Sequence, residues 1–439
     1  MKILWICHFS NHKVRQKIHF YDSIIEMVFR FLWRRPKQKR ADLAAWITNG
    51  IVEIENNKDI ELHIVSPHYG MRYKTEEFEL DRVHYHFFKP DDNFFLTRKL
   101  KGLQKKKKNE YRRNREIIKK ITDKVDPDLI HMYGAENPYY SIAALDIDIK
   151  KHPFLVSLQT LMLDEEFRNK YPISLEVYNH RAGIERKILQ NVKYIGSTIK
   201  KYRDIIWQNV NSNAIFTNTS LAVAENVKIN KSKKIYDFVY FAADIAKSVD
   251  FAIDAFALAC KKYPSLTLNI IGGCSNDFKQ QLDNQISKLG IDGNIIFSGR
   301  LSTHQEVINQ IQKSKFALLP LKIDIISGTI REAMFSGIPV VTTVTPGTPS
   351  LNENRESILI SEQGDFEAMS NNMMKLIEMP ELANKLKENG LVTVNERWNN
   401  AKNINKLFET YLAIINHHSN GKIIPADIGI LNPKIENEQ

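Results

Sequence analysis

The chain has 439 residues, of which 43% are hydrophobic and 26% charged, which excludes a disordered or low-complexity protein and allows two ordinary domains. No apolar stretch reaches the ~20 residues needed to cross a bilayer as a helix. The formal net charge of +11 is unevenly held: residues 1–208 carry 39 Lys+Arg against 27 Asp+Glu, and residues 209–439 carry 23 against 24.

In chain order, "MKILWICHFSN" reads as a first buried strand, Lys2–Phe9; it is too short and too polar after Phe9 for a signal peptide. Ile60–His68, Val83–Phe88, Leu129–Gly134, Pro153–Gln159 and Val192–Ser197 are the further strand candidates of the first half. In the second half they are Tyr236–Ala242, Leu266–Gly272, Asn294–Ser298, Phe316–Leu321, Pro339–Val344 and Ser357–Ile360. Helical patterns such as Asp250–Lys262 and Asp277–Leu289 lie between them. Continuous apolar strands alternating with helices predict parallel sheets covered on both faces, and two such series predict two doubly wound domains. Residues Lys200–Lys234 show no clear period and are expected to hold the boundary. The expected division is a first domain over 1–208, a second over 209–396, a helix over 397–416 that returns to the first domain, and a loosely ordered tail over 417–439. Cys7, Cys260 and Cys274 have no metal-ligand spacing and read as reduced core thiols, and His417–His418 reads as inert.

The excess positive charge concentrates in two runs, Phe29–Arg40 and Arg98–Lys120, with Phe31, Leu32, Trp33, Phe94 and Phe95 beside them. Nucleic acid or an anionic membrane surface are the partners that such runs suit.

Ligands of doubly wound sheets bind beyond the carboxyl ends of the strands. The loop after the first strand, His8-Phe9-Ser10-Asn11, lacks G-x-G-x-x-G, which disfavours a dinucleotide-binding dehydrogenase. "DIISGTIREAMFSGIPVV", Asp324–Val341, is more informative. A buried strand ends at Pro320-Leu321, Asp324 follows, and Ser327-Gly328-Thr329 leads into a helix over Ile330–Phe335. Amides at a helix start attract a phosphate, and Gly328 lets it approach. A carboxylate beside that cradle repels phosphate and suits hydroxyls instead. Asp324 and Glu332 are therefore placed at the two ends of a diphosphate with a sugar at each end, which is a nucleotide-sugar.

These residues resemble the retaining GT-B glycosyltransferases of family four. The family signature is Glu, seven residues, then Glu-Ala-Met-x-x-Gly-x-Pro-Val-Val; here it is Asp324, seven residues, then "EAMFSGIPVV". "LTLNIIGG", "NIIFSGRLSTHQEVINQIQKSKFALLPL" and "ESILISEQGDFEAMSNNMMKLI" follow the family order, and "PDLIHMYGAENP" is similar to its fourth N-terminal strand and active-site loop. The resemblance implies a GT-B fold, with two Rossmann-like domains facing each other across a cleft, and transfer from a nucleotide-diphosphate sugar with retention of configuration. It implies a glycan or lipid-linked acceptor in capsule, lipopolysaccharide or exopolysaccharide synthesis.

The expected catalytic residues are Asp324, His131 and Glu136. Donor contacts fall to Glu332, Ser327, Gly328, Thr329, Ile330, Lys247 and Arg300, with Lys247 at the family's lysine position and no match for its arginine. Acceptor contacts fall to Ser10, Asn11, Asn137 and Gln159. No metal or cofactor is expected: the triplets Asp126-Pro127-Asp128 and Asp146-Ile147-Asp148 read as surface carboxylates, and amides with Lys247 supply the charge. The expected location is cytoplasmic, peripheral to the inner face of the membrane, with nucleic acid disfavoured. Two alternatives are a sugar-nucleotide epimerase on the same fold and a non-catalytic membrane- or nucleic-acid-binding protein with a degenerate transferase domain.

Overall fold

A computed structural model describes residues 1–21, 40–55, 57–91, 110–170, 173–219, 222, 227, 229, 233–245, 248–322, 326–345 and 347–433. They form two compact units, one drawn from Met1–Pro36, Ile47–Leu221 and Ala401–Gln439, the other from Lys37–Trp46 and Ala222–Asn400.

The first unit is built on a nine-stranded sheet. Its strands are β1 (Lys2–Ile6), β2 (Glu61–Pro67), β3 (Thr75–Leu80), β4 (Val83–Phe88), β5 (Leu129–Tyr133), β6 (Phe154–Ser157), β7 (Tyr194–Gly196), β8 (Ile215–Thr217) and β15 (Gly429–Ile430). They lie in the order β15-β8-β7-β6-β5-β1-β2-β4-β3. All neighbours pair in parallel except the edge strands β3 and β15. β1 and β5 are central and almost wholly buried, which is why Ile3, Leu4, Ile6, Leu129 and Ile130 read as continuous apolar runs.

The second unit holds β9 (Tyr236–Asp244), β10 (Leu268–Gly273), β11 (Ile295–Gly299), β12 (Ser314–Leu319), β13 (Val340–Thr343) and β14 (Leu359–Ser361). All pairs are parallel, in the order β11-β10-β9-β12-β13-β14. Numbered within the unit, this is 3-2-1-4-5-6, the Rossmann order. Its core joins Phe238, Val239, Ile270 and Leu318 of the sheet to Ile253, Phe256 and Met373 of flanking helices. Burying each of these side chains is worth roughly 1.5–3 kcal/mol.

The chain reverses its direction of sheet growth between β9 and β12 in one unit and between β1 and β5 in the other. Loops at the carboxyl ends of those four strands are where such sheets bind ligands.

Several expectations need correction. Lys200–Lys234, which shows no clear period in the sequence, contains a helix, Lys200–Asn209, and β8, and the change of unit falls within it rather than at residue 209. The chain passes to the second unit near residue 222 and returns near 401. Residues 417–439 do not begin as a loose tail, because a helix runs over Asn400–Asn420 and β15 pairs with β8. The physical reason is the burial of Ile424 and Ile428, whose apolar side chains hold an otherwise turn-rich segment. Phe31, Leu32, Trp33, Phe94, Phe95 and most of both basic runs lie outside the described residues. The three cysteines are free, Cys7 and Cys260 being buried. No helix among the described residues is long and apolar enough to cross a membrane.

Candidate active site

In the second unit, the loop after β12 is anchored before it turns. The Leu321 amide donates to Thr343 Oγ1 at 2.8 Å, and that hydroxyl donates back to the Leu321 carbonyl at 2.7 Å. Lys322 then turns inward to Asp250, with Nζ at 2.6 Å from Oδ2 and 4.0 Å from the Phe251 ring centroid. Asp324 and Lys247 lie outside the described residues.

Ser327 is the N-cap of the Gly328–Phe335 helix; its extended backbone and its Oγ, which accepts from the Thr329 amide at 3.4 Å, start the helix. The other amides of the first turn, those of Gly328 and Ile330, have no partner inside the helix and are available to an anion. A Cβ at Gly328 would lie 4.0 Å from the nearest side-chain atoms, those of Arg331 and Glu332. The packing of the protein therefore does not require glycine there; the bare backbone serves an approach from outside. Ile330 contributes only its amide, since its side chain is fully buried in the core.

One turn into the helix, Glu332 Oε1 meets His304 Nε2 at 3.0 Å. His304 opens the His304–Ile311 helix, and its own amide donates to Asp42 Oδ2 at 2.9 Å. Burial of the ring opposes protonation of His304, but Glu332 and Asp42 outweigh it and raise its pKa. Glu332 thus has one oxygen engaged by a fixed partner and the other available to a hydroxyl. Sequence reasoning missed His304 and Asp42, which are 262 residues apart; nothing local to either signals the contact.

Arg300 follows β11, two strands from the β9/β12 reversal. Its guanidinium lies flat over Gly273, where a Cβ would come 2.7 Å from Nε. Glycine at 273 is thus a condition for Arg300 to sit at the carboxyl edge of the sheet.

In the first unit, the loops after β1 and β5 meet where His8 Nδ1 lies 2.6 Å from Tyr139 Oη. After β5, Gly134 has φ +86°, and a Cβ there would come 2.6 Å from Glu136 Oε2. The Glu136 carboxyl therefore folds back over a position that only glycine suits. Asn137 Nδ2 donates to Glu136 Oε1 at 2.8 Å. Arg181, from the Leu175–Asn191 helix, donates to the Glu136 carbonyl at 2.7 Å and to Asn137 Oδ1 at 2.8 Å. Glu136 is 5% exposed, and burial pushes its pKa up to about 7, with Arg181 pulling the other way. Glu185, on the same helix as Arg181, is fully buried, accepts from the Leu163 amide at 3.1 Å and is pushed up to about 8 by burial, with Glu136 adding to it.

His131 sits elsewhere in the unit's interior. It is fully buried, with Nδ1 at 2.5 Å from Tyr411 Oη and Nε2 at 2.7 Å from Ser157 Oγ. Trp5 Nε1 donates to the same Tyr411 oxygen at 3.0 Å, and burial lowers the His131 pKa to about 3. Both ring nitrogens are engaged, a placement that suits packing between β1, β5 and the Asn400–Asn420 helix rather than contact with substrate.

Of the remaining expected residues, Ser10 Oγ faces His68 Nε2 at 3.1 Å and accepts from Arg15 at 3.1 Å. Asn11 caps the His12–Lys17 helix, accepting from the Val14 amide at 2.9 Å, and donates to Thr48 Oγ1 at 3.3 Å. Both are buried and engaged within the unit. Gln159 is exposed and donates to the Tyr133 carbonyl at 3.3 Å.

The second-unit site thus combines a helix start at a strand-order reversal, a carboxylate one turn in, and the apolar run and Gly-Ile-Pro that close the helix. Residues 224–392 match the family described as glycosyl transferases group 1. Every described donor-site residue lies within that match, which supports a glycosyltransferase. The whole chain has the GT-B fold. It is similar to sucrose-phosphate synthase from Thermosynechococcus elongatus, with 13% identity, TM-score 0.64, and 94% of this chain and 99% of that one covered. It is also similar to a TarM variant from S. aureus, with 13% identity, TM-score 0.61, and 95% and 100% covered. HepE from Anabaena, in complex with UDP, gives 13% identity, TM-score 0.60, and 94% and 100% covered. No curated protein matches the sequence.

Proposed function

We propose that the chain is a retaining glycosyltransferase that moves a sugar from a nucleotide-diphosphate sugar to a glycan or lipid-linked acceptor of surface-polysaccharide synthesis. The observation that carries this reading is the Ser327–Glu332 segment: an accessible helix start at the sheet's reversal point with Glu332 held by His304 one turn in, inside the group 1 glycosyl transferase match. The diphosphate meets the amides of Gly328, Thr329 and Ile330, Glu332 takes the ribose hydroxyls, and Asp324 serves the transferred sugar. Lys247 and Arg300 offset the leaving diphosphate, so the charge is met by protein groups without a metal. The UDP named in the complexes of HepE and TarM agrees with a donor of this class.

Acceptor chemistry falls to the first unit's loops after β1 and β5. Glu136, near neutrality in pKa and steadied by Asn137 and Arg181, is the group there suited to exchanging a proton at pH 7. The basic runs adapt this half to an anionic membrane surface. An epimerase binds the same donor but needs no acceptor or membrane surface, so the basic, aromatic first half favours the transferase over it, and a non-catalytic protein has no use for a proton-exchanging carboxyl.

The test is a thermal-stability screen of the full chain with nucleoside diphosphates and their sugars, followed by incubation of the stabilising donor with and without lipid-linked glycan. Stabilisation by one donor and acceptor-dependent release of its diphosphate are expected. Turnover of the donor sugar without acceptor favours the epimerase, and no stabilisation by any diphosphate removes the transferase reading.

A further inference from the structure

The amino end of the first unit's sheet carries a cluster with no part in the site above. Strand β2 begins with Glu61-Leu62-His63, and β4 carries His84-Tyr85-His86. Side chains two apart on a strand share a face. β2 and β4 pair in parallel with His63 opposite His84, so a Glu-x-His and a His-x-His face the same side of adjacent strands. One ligand atom each from Glu61, His63 and His84 lies within 4.8 Å of the others. Glu61 Oε1 is 2.9 Å from His63 Nε2, and the His63 and His84 rings stack with centroids 4.6 Å apart and 17° between planes.

We propose that Glu61, His63 and His84 bind a divalent transition-metal ion of the zinc class as a structural clip between β2 and β4. Two imidazoles and one carboxylate select such an ion over Mg²⁺ or Ca²⁺, which prefer oxygen. Zinc bonds of about 2.0–2.2 Å put tetrahedral ligand atoms roughly 3.3–3.5 Å apart. The present spacing closes to that with movements of about 1 Å. His63 is buried and fixes the site, while Glu61 is exposed and His84 partly so, and these two can adjust. Water completes the fourth position.

A second row of groups supports the first. His63 Nδ1 faces His86 Nε2 at 3.0 Å, and His86 Nδ1 lies 3.4 Å from Glu77 Oε1. A metal on His63 Nε2 leaves the proton on Nδ1, where it is donated to His86; His86 then carries its own proton on Nδ1, toward Glu77. Metal-bound histidines are usually oriented by such partners. Lys124, 2.5 Å from Glu77 Oε2, offsets that carboxylate's charge. Glu61 is the first residue of β2, and His84 lies near the start of β4, at the sheet end opposite the ligand-binding loops. The ion therefore braces the sheet and takes no part in transfer.

The test uses the full chain stripped with EDTA and titrated with Zn²⁺, or with Co²⁺ as a visible-absorption probe. One ion per chain, a rise in Tm, and the intense visible bands of a tetrahedral Co²⁺ site with nitrogen ligands are expected. His84→Ala and Glu61→Gln, at the accessible side of the cluster, should abolish the stoichiometric binding while far-UV circular dichroism stays unchanged. His86→Phe should weaken affinity about 10- to 100-fold. Less than stoichiometric binding to the parent overturns the proposal. So does binding that survives both His84→Ala and Glu61→Gln, or that disappears only when His417 and His418 are replaced.

Discussion

Replacing His131 by Asn separates a packing role from a catalytic one through pH. The Trp5 indole can only donate, so Tyr411 Oη accepts from it, and the same hydroxyl pairs with His131 Nδ1. His131 Nε2 faces Ser157 Oγ, and burial keeps the ring neutral. Its folded pKa, about 3, is below the value of about 6.5 that an unfolded histidine has. A base with a depressed folded pKa stabilises the fold above pH 6.5 and loses that contribution as pH falls, because the unfolded chain binds a proton that the native state refuses. At 1.36 kcal/mol per pH unit, the loss attributable to this one group between pH 7 and pH 5 is about 2 kcal/mol. His131→Asn removes the titration. The variant should be less stable than the parent at pH 7, by roughly 1–3 kcal/mol for groups left unpaired, and the gap should shrink by about 2 kcal/mol at pH 5. Equilibrium urea unfolding at the two pH values reads both quantities. A gap independent of pH, or loss of turnover in a variant of unchanged stability, would refute the reasoning and restore His131 to the chemistry.

Glu332→Gln should weaken binding of the nucleoside diphosphate donor about 10- to 100-fold, the worth of a charge-assisted hydrogen bond, as read by isothermal titration calorimetry; unchanged affinity would leave Glu332 as a partner of His304 alone. His304, whose pKa is raised by Glu332, gives stability that is full below pH 6.5 and lost as pH rises through its folded pKa, and Glu332→Gln should flatten that loss in urea titrations. Glu185, pushed up to about 8, costs stability progressively above the ordinary carboxylate range, so Glu185→Gln should raise the urea midpoint at pH 8 and leave it nearly unchanged at pH 4. Neutralising Lys105, Lys106, Lys107 and Lys108 should weaken sedimentation with anionic vesicles by roughly 1 kcal/mol per charge at ordinary salt and leave donor affinity untouched; equal binding to neutral vesicles would defeat the membrane reading.

The strands most legible in the sequence are those buried on both faces. Leu129–Tyr133 reads as a nearly continuous apolar run because all five of its residues are buried. Thr75–Leu80 was not legible, since its side chains are exposed or half-exposed and Thr-Glu-Glu-Phe-Glu-Leu has little apolar content. The short β8 and β15 carry too few residues for a period. In the candidate site, Ser327 and Gly328 were legible because helix-start chemistry is local. The His304–Glu332 contact was not, because it depends on how two helices pack. His131 shows the converse: a histidine in an apolar strand carries the same letter whether it meets a substrate or a buried tyrosine, and the partners of its two nitrogens become visible only in the fold. Glu136 stands beside an asparagine in the sequence, but Arg181, which steadies both, is 45 residues away.

Trp5 and Tyr411, joined by a hydrogen bond, are separated by 406 residues, with the whole of the second sheet between them in the chain. At a synthesis rate of ~5–20 residues per second, the central strand of the nine-stranded sheet waits roughly 20–80 s on the ribosome for the partner that completes its interior. During that interval the second unit can fold while the first stands open, its central strands formed and one helix missing. A nascent chain in this state has exposed apolar surface of the kind that chaperones bind. A ribosome stall before residue 411 should therefore leave a folded second unit attached to an aggregation-prone first one.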